Sequence, residues 1–261
     1  MPVLVDEFDG FLFDLDGVVY KGHEPIEYAA ESINKLDPAQ VAFVTNNASR
    51  TPDKVVELLV SVGVNATQDQ VVTSAQVAAD TLLDRLGSKA RVFVIGAQGL
   101  RDEVAARGLV VEDDPESKPD AVVQGFTPEL TWKDLAGGAI AVASGAFYMA
   151  TNLDQTIPIA QGIAPGNGAL VNAVTTATGV VPESVGKPAA TMLTRAIARI
   201  GCSNPLVVGD RLDTDIEAAN AAELASLLVL TGVTAEADLA GATAQQIPTY
   251  FAQDLRGLFS D

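Results

Sequence analysis

The 261-residue chain reads as an α/β protein, a parallel-sheet core domain with a smaller α/β unit inserted into it. Three observations predict this. Short apolar runs alternate with helical patterns along the whole length. The runs are continuously apolar, as in "GFLF", "VAFV" and "PLVV", which suits strands buried on both faces of a parallel sheet. The middle third carries its own strands and helices around a polar, proline-containing loop, "EDDPESKP". The expected domains are residues 1–81 (core, first part), 82–183 (insert) and 184–261 (core, second part).

The elements follow in order. "GFLFDLD" predicts a strand, and "PIEYAAESINKL" a helix with Ile26, Ala29, Ala30 and Ile33 on one stripe. "VAFVTNN" predicts a strand. "TPDKVVELLVSVG" predicts a helix with Thr51 as N-cap and Pro52 at its first position. "SAQVAADTLLDRL" is a further helix. "ARVFVIG", "LVVED" and "DAVVQGF" are strands, the first two separated by the helix "AQGLRDEVAARG". "TWKDLAGGAIAVASG" and "FYMATN" give helix then strand, and "GALVNAVTTATG" a helix. "KPAATMLTRAIARIG" predicts a helix opening at Pro188, with Leu193, Ile197 and Ile200 in register. "PLVVGD" is a strand, "DTDIEAANAAEL" a helix, "SLLVLTG" a last strand and "PTYFAQDLRGLF" a final helix.

Composition narrows the function. Hydrophobic residues make up 48% of the chain, enough for a buried core, and aromatics only 5%, so Ala, Val, Leu and Ile must build it. The net charge of -18 repels nucleic-acid backbones and anionic lipid, which argues against both as partners. It also repels small anions unless a metal ion or local cations invert the field at the site. The single cysteine, Cys202, excludes an intrachain disulfide and suits a reducing cytoplasm. The N-terminus lacks the basic and apolar regions of a signal peptide, and no run of eighteen apolar residues predicts a membrane span.

Polar residues gather at strand ends, where ligands bind in open parallel sheets. Asp14 and Asp16 follow "GFLF", and in an extended strand they would share one side. Beside Gly17 they also read as a turn. Their functional reading is a divalent-cation site, because a hard cation takes carboxylate oxygens and offsets their repulsion. Asp210 ends "PLVVGD" and is a plausible third acid. Asp215 matches a capping box, Thr214 to Glu217, or else orients the metal site or the lysine. Asp213 reads as a turn residue. Thr45, Asn46 and Asn47 offer a hydroxyl, amides and backbone N–H groups to phosphate oxygens, or else a capped turn. Lys187 precedes the expected helix start at Pro188, where an anion is already favoured.

Taken in order, "DLDGVV" (14–19), "VTNN" (44–47), "GKP" (186–188) and "GDRLDTD" (209–215) resemble the four motifs of the haloacid dehalogenase superfamily of phosphatases. Further segments, "TNNASRT", "ATNLD" (150–154) and "PGNGAL" (165–170), resemble its NagD-like, 4-nitrophenylphosphatase-type subfamily. The resemblance implies a Rossmann-like core with an inserted α/β cap domain. It implies a Mg²⁺-dependent phosphomonoesterase working through an aspartyl-phosphate. Asp14 would be the nucleophile, Asp16 the general acid and base, and Lys187 the neutralising cation. Thr45, Asn46 and Lys187 would bind the phosphoryl group. Asp14, the Asp16 backbone carbonyl and Asp210 would hold Mg²⁺, with Asp215 behind them.

Asn152 and Asp154 align with a cap loop and are the candidates for substrate discrimination, against an ordinary turn reading. The substrates implied are small esters such as glycerol phosphate, phosphoglycolate, nucleoside monophosphates and sugar phosphates, and the subfamily often forms dimers through its caps. Asp16 favours phosphatase over dehalogenase, because an alkoxide leaving group needs a proton and a halide does not. The alternative is a phosphate-ester sensor with the same fold and little catalysis. One departure lies in "GHEPIEYAAE" (22–31), where the subfamily commonly has Pro-Gly near Glu27 and Tyr28. His23, the only histidine, reads as a solvated loop residue there.

Overall fold

The computed structural model describes residues 3–159 and 161–259. The chain divides into two compact units. The first holds the residues up to Thr45, Pro52–Val72 and those from Lys187 onward. The second holds Asn46–Thr51 and Thr73–Gly186. Residues 82 and 183 thus fall inside the second unit. The helix Ser74–Leu86 belongs wholly to that unit because it packs on the helix Gln98–Ala106. An ion pair from Arg107 Nε to Asp80 Oδ1, at 2.9 Å, joins the end of the second helix to the middle of the first.

The first unit is built on a six-stranded sheet among the described residues. Its order is Tyr250–Ala252, Ala225–Val229, Pro205–Gly209, Gly10–Phe13, Val41–Thr45 and Val71–Thr73. The pairings from Tyr250–Ala252 across to Val41–Thr45 are parallel. Gly10–Phe13 and Val41–Thr45 are buried at every position, as their unalternating sequences require. Phe11, Phe13 and Phe43 stack through neighbouring strands, with centroids 6.3 to 6.5 Å apart, and anchor the core of the unit.

Among the described residues, the second unit carries a five-stranded parallel sheet, ordered Glu183–Ser184, Phe147–Ala150, Ala121–Gln124, Arg91–Ile95 and Val110–Glu112. Its core joins Phe93, Ile95 and Val122 of the sheet to Val142, Val171 and Val174 of the helices Trp132–Ala143 and Asn167–Thr178. A short antiparallel hairpin pairs Thr156–Ile159 with Gly162–Pro165.

Several local expectations give way to tertiary or turn chemistry. The first strand stops at Phe13, before both aspartates. Backbone N–H groups of Val18 and Val19 turn back to the Leu15 carbonyl, and Gly17 holds φ +92, so residues 14 to 19 form a loop. The helix expected over 25–36 shrinks to Ala29–Ile33. A hairpin, Tyr20–Lys21 with Glu24–Pro25, takes its start, and Tyr28 at φ +65 breaks the helical path.

The helix expected from Pro188 begins at Thr191. "DTDIEAANAAEL" splits into a π-type turn, Leu212–Ile216, and the helix Glu217–Ala221, with no side-chain cap at its start, so the Thr214–Glu217 capping box does not form. The final helix is replaced by the edge strand Tyr250–Ala252 and a 3-10 turn, Leu255–Leu258. Pairing with the exposed edge of Ala225–Val229 satisfies backbone groups that a solvent-exposed helix would have to satisfy alone.

Candidate active site

Asp14 leaves its strand with its N–H donating to the Val208 carbonyl at 2.8 Å, which extends the parallel ladder by one residue. Its side chain is buried, and the Lys187 ammonium meets it at 2.5 Å. The same Nζ donates to Asp215 Oδ1 at 2.7 Å and to the Val44 carbonyl at 3.0 Å. Three acceptors thus match the three ammonium protons. The lysine is buried among strand ends rather than placed at a helix terminus.

Asp210 follows the strand Pro205–Gly209 and is fully buried. Its Oδ2 accepts the Val233 N–H at 2.7 Å, and its carbonyl accepts the Thr234 N–H. Glycines at 17 and 232 let backbone approach this carboxylate, since a Cβ at either would collide with it. Thr231 Oγ1 donates to the Gly17 carbonyl at 2.7 Å and ties the two loops together. Asp215 faces back into the same turn. Its Oδ2 accepts the N–H groups of Asp210 and Arg211 at 3.2 and 3.1 Å, while Oδ1 takes Lys187.

Carboxylate oxygens of Asp14, Asp210 and Asp215 lie within 4.8 Å of one another. Three acids face one ammonium, so the fully ionised cluster carries an excess of negative charge. Burial pushes the Asp14 carboxyl well above its ordinary value, and Lys187 opposes this. Burial, then repulsion from Asp215, lifts Asp210 to about 7. Burial works against the charge on Lys187, but Asp14 and Asp215 outweigh it and keep the ammonium protonated. Asp210 Oδ1 is buried without a hydrogen-bond partner. A hard divalent cation fits these facts: it would take the orphaned oxygen together with Asp14 and remove the charge excess. Asp215 has both oxygens engaged by N–H donors.

The other sequence candidates are distributed as follows. Asp16 is exposed two residues beyond Asp14, and its Oδ1 lies 3.4 Å from the Gly22 N. Thr45 is buried at the last position of Val41–Thr45, next to the carbonyl that Lys187 binds. Asp213 points outward and pairs with Arg211. His23 is exposed at the tip of the short hairpin.

Asn46, Asn152 and Asp154 belong to the second unit. There the Asn46 amide donates to the Asp154 carboxylate at 3.2 Å, and the Asn152 amide donates to the Asn46 carbonyl at 2.9 Å. The segment Thr231-Gly232-Val233 was not singled out as a site. Its signal was the Gly that ends "SLLVLTG", a backbone approach with no side chain to mark it.

Comparison with known proteins identifies the family. A haloacid dehalogenase-like hydrolase model matches residues 11–110, and a HAD-hydrolase-like model matches residues 184–258. A D-glycerol 3-phosphate phosphatase of Mycobacterium tuberculosis is 47% identical over 261 residues, covering 100% of this chain and 74% of that protein. A 5'-nucleotidase of Bacillus subtilis is 39% identical over 231 residues, covering 87% of this chain and 89% of its own. Among solved structures, a Mycobacterium tuberculosis glycerol phosphate phosphatase in complex with magnesium superposes with a TM-score of 0.95 at 47% identity, covering 100% of this chain and 79% of that one. A p-nitrophenyl phosphatase from Archaeoglobus fulgidus gives 0.89 at 29% identity, covering 96% and 98%. The chain therefore belongs to the haloacid dehalogenase-like hydrolases, among relatives of the glycerol phosphate and nitrophenyl phosphatase type.

Proposed function

We propose that this protein is a Mg²⁺-dependent phosphomonoesterase that cleaves a small phosphate ester through an aspartyl-phosphate on Asp14. The observation that carries the reading is the buried Asp14–Lys187 pair beside Asp210, whose Oδ1 has no partner. Related phosphatases and a magnesium-bound structural neighbour support it.

An Asp14 carboxylate oxygen attacks phosphorus, and the ester P–O bond breaks with its electron pair leaving on the alkoxide. Asp16 gives that alkoxide a proton. Its exposed position on the loop leaves it accessible to the leaving group and to water. Asp16 then takes a proton from the attacking water, and the bond between phosphorus and Asp14 breaks to release phosphate. Lys187 stays protonated throughout, holds Asp14 in place and offsets charge on the phosphoryl oxygens. Thr45 and Asn46 contribute donors to those oxygens. Asp14, the Asp16 carbonyl and Asp210 would hold Mg²⁺, which would supply the charge neutralisation that lets an anionic ester approach an anionic nucleophile.

The substrate proposed first is a glycerol phosphate, from the 47% identical relative, with nucleoside monophosphates and sugar phosphates next. The net charge of -18 favours a small ester over a polymer. A cytoplasmic setting is part of the same proposal and rests on the single cysteine. No described helix is long and apolar enough to cross a membrane. A homodimer is also proposed. It rests on the resemblance to a subfamily that often pairs through its caps. A panel of these esters assayed with and without Mg²⁺ tests the function. Metal-dependent phosphate release is the expected result, and binding of the esters without release would favour a sensor instead.

A further inference from the structure

The sequence motif makes Asn152 a candidate for substrate discrimination, yet the residue is 4% exposed. Its amide is committed to the backbone carbonyl of Asn46 at 2.9 Å. The same carbonyl accepts a second hydrogen bond, from Ser74 Oγ at 2.7 Å. Ser74 is also fully buried. Gly186 packs onto this node too. A Cβ there would collide with the Thr151 carbonyl and come within 2.8 Å of Asn46 Oδ1 and 2.9 Å of the Asn152 Cβ. Asn46, Ser74 and Gly186 come from three distant stretches of sequence, and one knot inside the second unit holds all three.

The neighbours of this knot in the chain matter. Asn46 directly follows Thr45, and Gly186 directly precedes Lys187. Under the proposed function, Thr45 and Lys187 are the residues that hold the phosphoryl group. We infer that Asn152 and Ser74 are positioning residues for phosphate binding: by pinning Asn46 and Gly186 they fix where Thr45 and Lys187 begin. The inference rests on the phosphatase reading. Small misplacement of binding groups is costly, since a shift of about 1 Å can change rates by roughly 10²-fold.

Positioning and discrimination make different demands. A residue that discriminates among substrates touches the alcohol part of the ester, so its loss depends on the ester used. A positioning residue acts on the phosphoryl end, which every ester and inorganic phosphate share. A residue that only stabilises the fold lowers the active fraction and leaves the affinity for phosphate unchanged.

The test uses Ser74→Ala and Asn152→Ala, which remove donors to one acceptor from different elements, so either variant that folds carries it. Each is assayed with glycerol 3-phosphate and p-nitrophenyl phosphate, and with inorganic phosphate as competitive inhibitor. The expected result is a loss of kcat/KM by the same factor for both esters, roughly tenfold, with inhibition by phosphate weakened in step. Loss confined to one ester would overturn the inference, as would unchanged inhibition by phosphate. If the wild-type protein hydrolyses neither ester, the phosphatase reading itself fails, and that outcome is separate.

Discussion

Lys187 Nζ lies 2.5 Å from the Asp14 carboxylate, and 173 residues separate the two in sequence. The same ammonium also holds Asp215, so one buried cation anchors Asp14 and the turn that carries Asp210. Lys187→Met should therefore do more than slow turnover. It leaves buried carboxylates without their counter-charge, and removal of one partner from such a pair costs about 3–5 kcal/mol. Urea denaturation of the metal-free variant checks this. A stability within experimental error of wild type would show that the lysine is not structurally engaged.

The raised Asp210 makes stability depend on pH. Its carboxyl titrates near 7 in the folded, metal-free protein against an ordinary value of 3.8. Between those values the native state keeps a proton that the unfolded chain has released. Stability of the metal-free protein should therefore fall as pH rises from about 4 to about 7 and level off above. Burial of Asp14 shifts its carboxyl in the same direction and adds to the slope. Mg²⁺ competes for the same oxygens, so its affinity should rise over this window. Denaturation in chelator and calorimetric Mg²⁺ titration at several pH values measure both. A metal-free stability that rises through this window would contradict the cluster described.

Gly232 allows the backbone to wrap the Asp210 carboxylate. A Cβ there would strike that side chain. Gly232→Ala should weaken Mg²⁺ affinity by at least tenfold while costing about 1–3 kcal/mol in stability, the usual scale for overpacking. Calorimetric Mg²⁺ titration and thermal unfolding separate the two effects.

Tyr28 stands at φ +65, in the loop where the related subfamily commonly carries Pro-Gly. The Arg256 guanidinium sits over its ring, 3.7 Å from the centroid. In a double-mutant cycle, Arg256→Ala should destabilise the protein more with Tyr28 present than in the Tyr28→Gly background. An additive cycle would mean that the stacking contributes nothing.

The buried strands were legible because burial on both faces leaves continuous apolar runs, as in Gly10–Phe13 and Val41–Thr45. The residues at their ends were legible because polar groups there have few structural reasons to exist. Short elements were not. Tyr250–Ala252 is a strand only because an unpaired sheet edge lies beside it, and three residues carry no periodicity of their own. The helix expected over 25–36 failed at Tyr28, whose positive φ no local rule announces. Contacts made by backbone were equally silent. The Val44 carbonyl that binds Lys187 and the Val233 N–H that binds Asp210 depend on no side chain. Asn152 shows the converse: its motif was visible, but only the structure shows that its amide is spent on the Asn46 carbonyl.

If Asp14 is the nucleophile, it carries a phosphoryl group during turnover. Rapid acid quench of enzyme mixed with p-nitrophenyl phosphate and Mg²⁺, followed by peptide mass spectrometry, tests it most directly. The expected result is one phosphoryl group on the peptide that contains Asp14, absent from an Asp14→Asn variant that folds but does not turn over. A phosphoryl group on another residue, or wild-type turnover by Asp14→Asn, would contradict it.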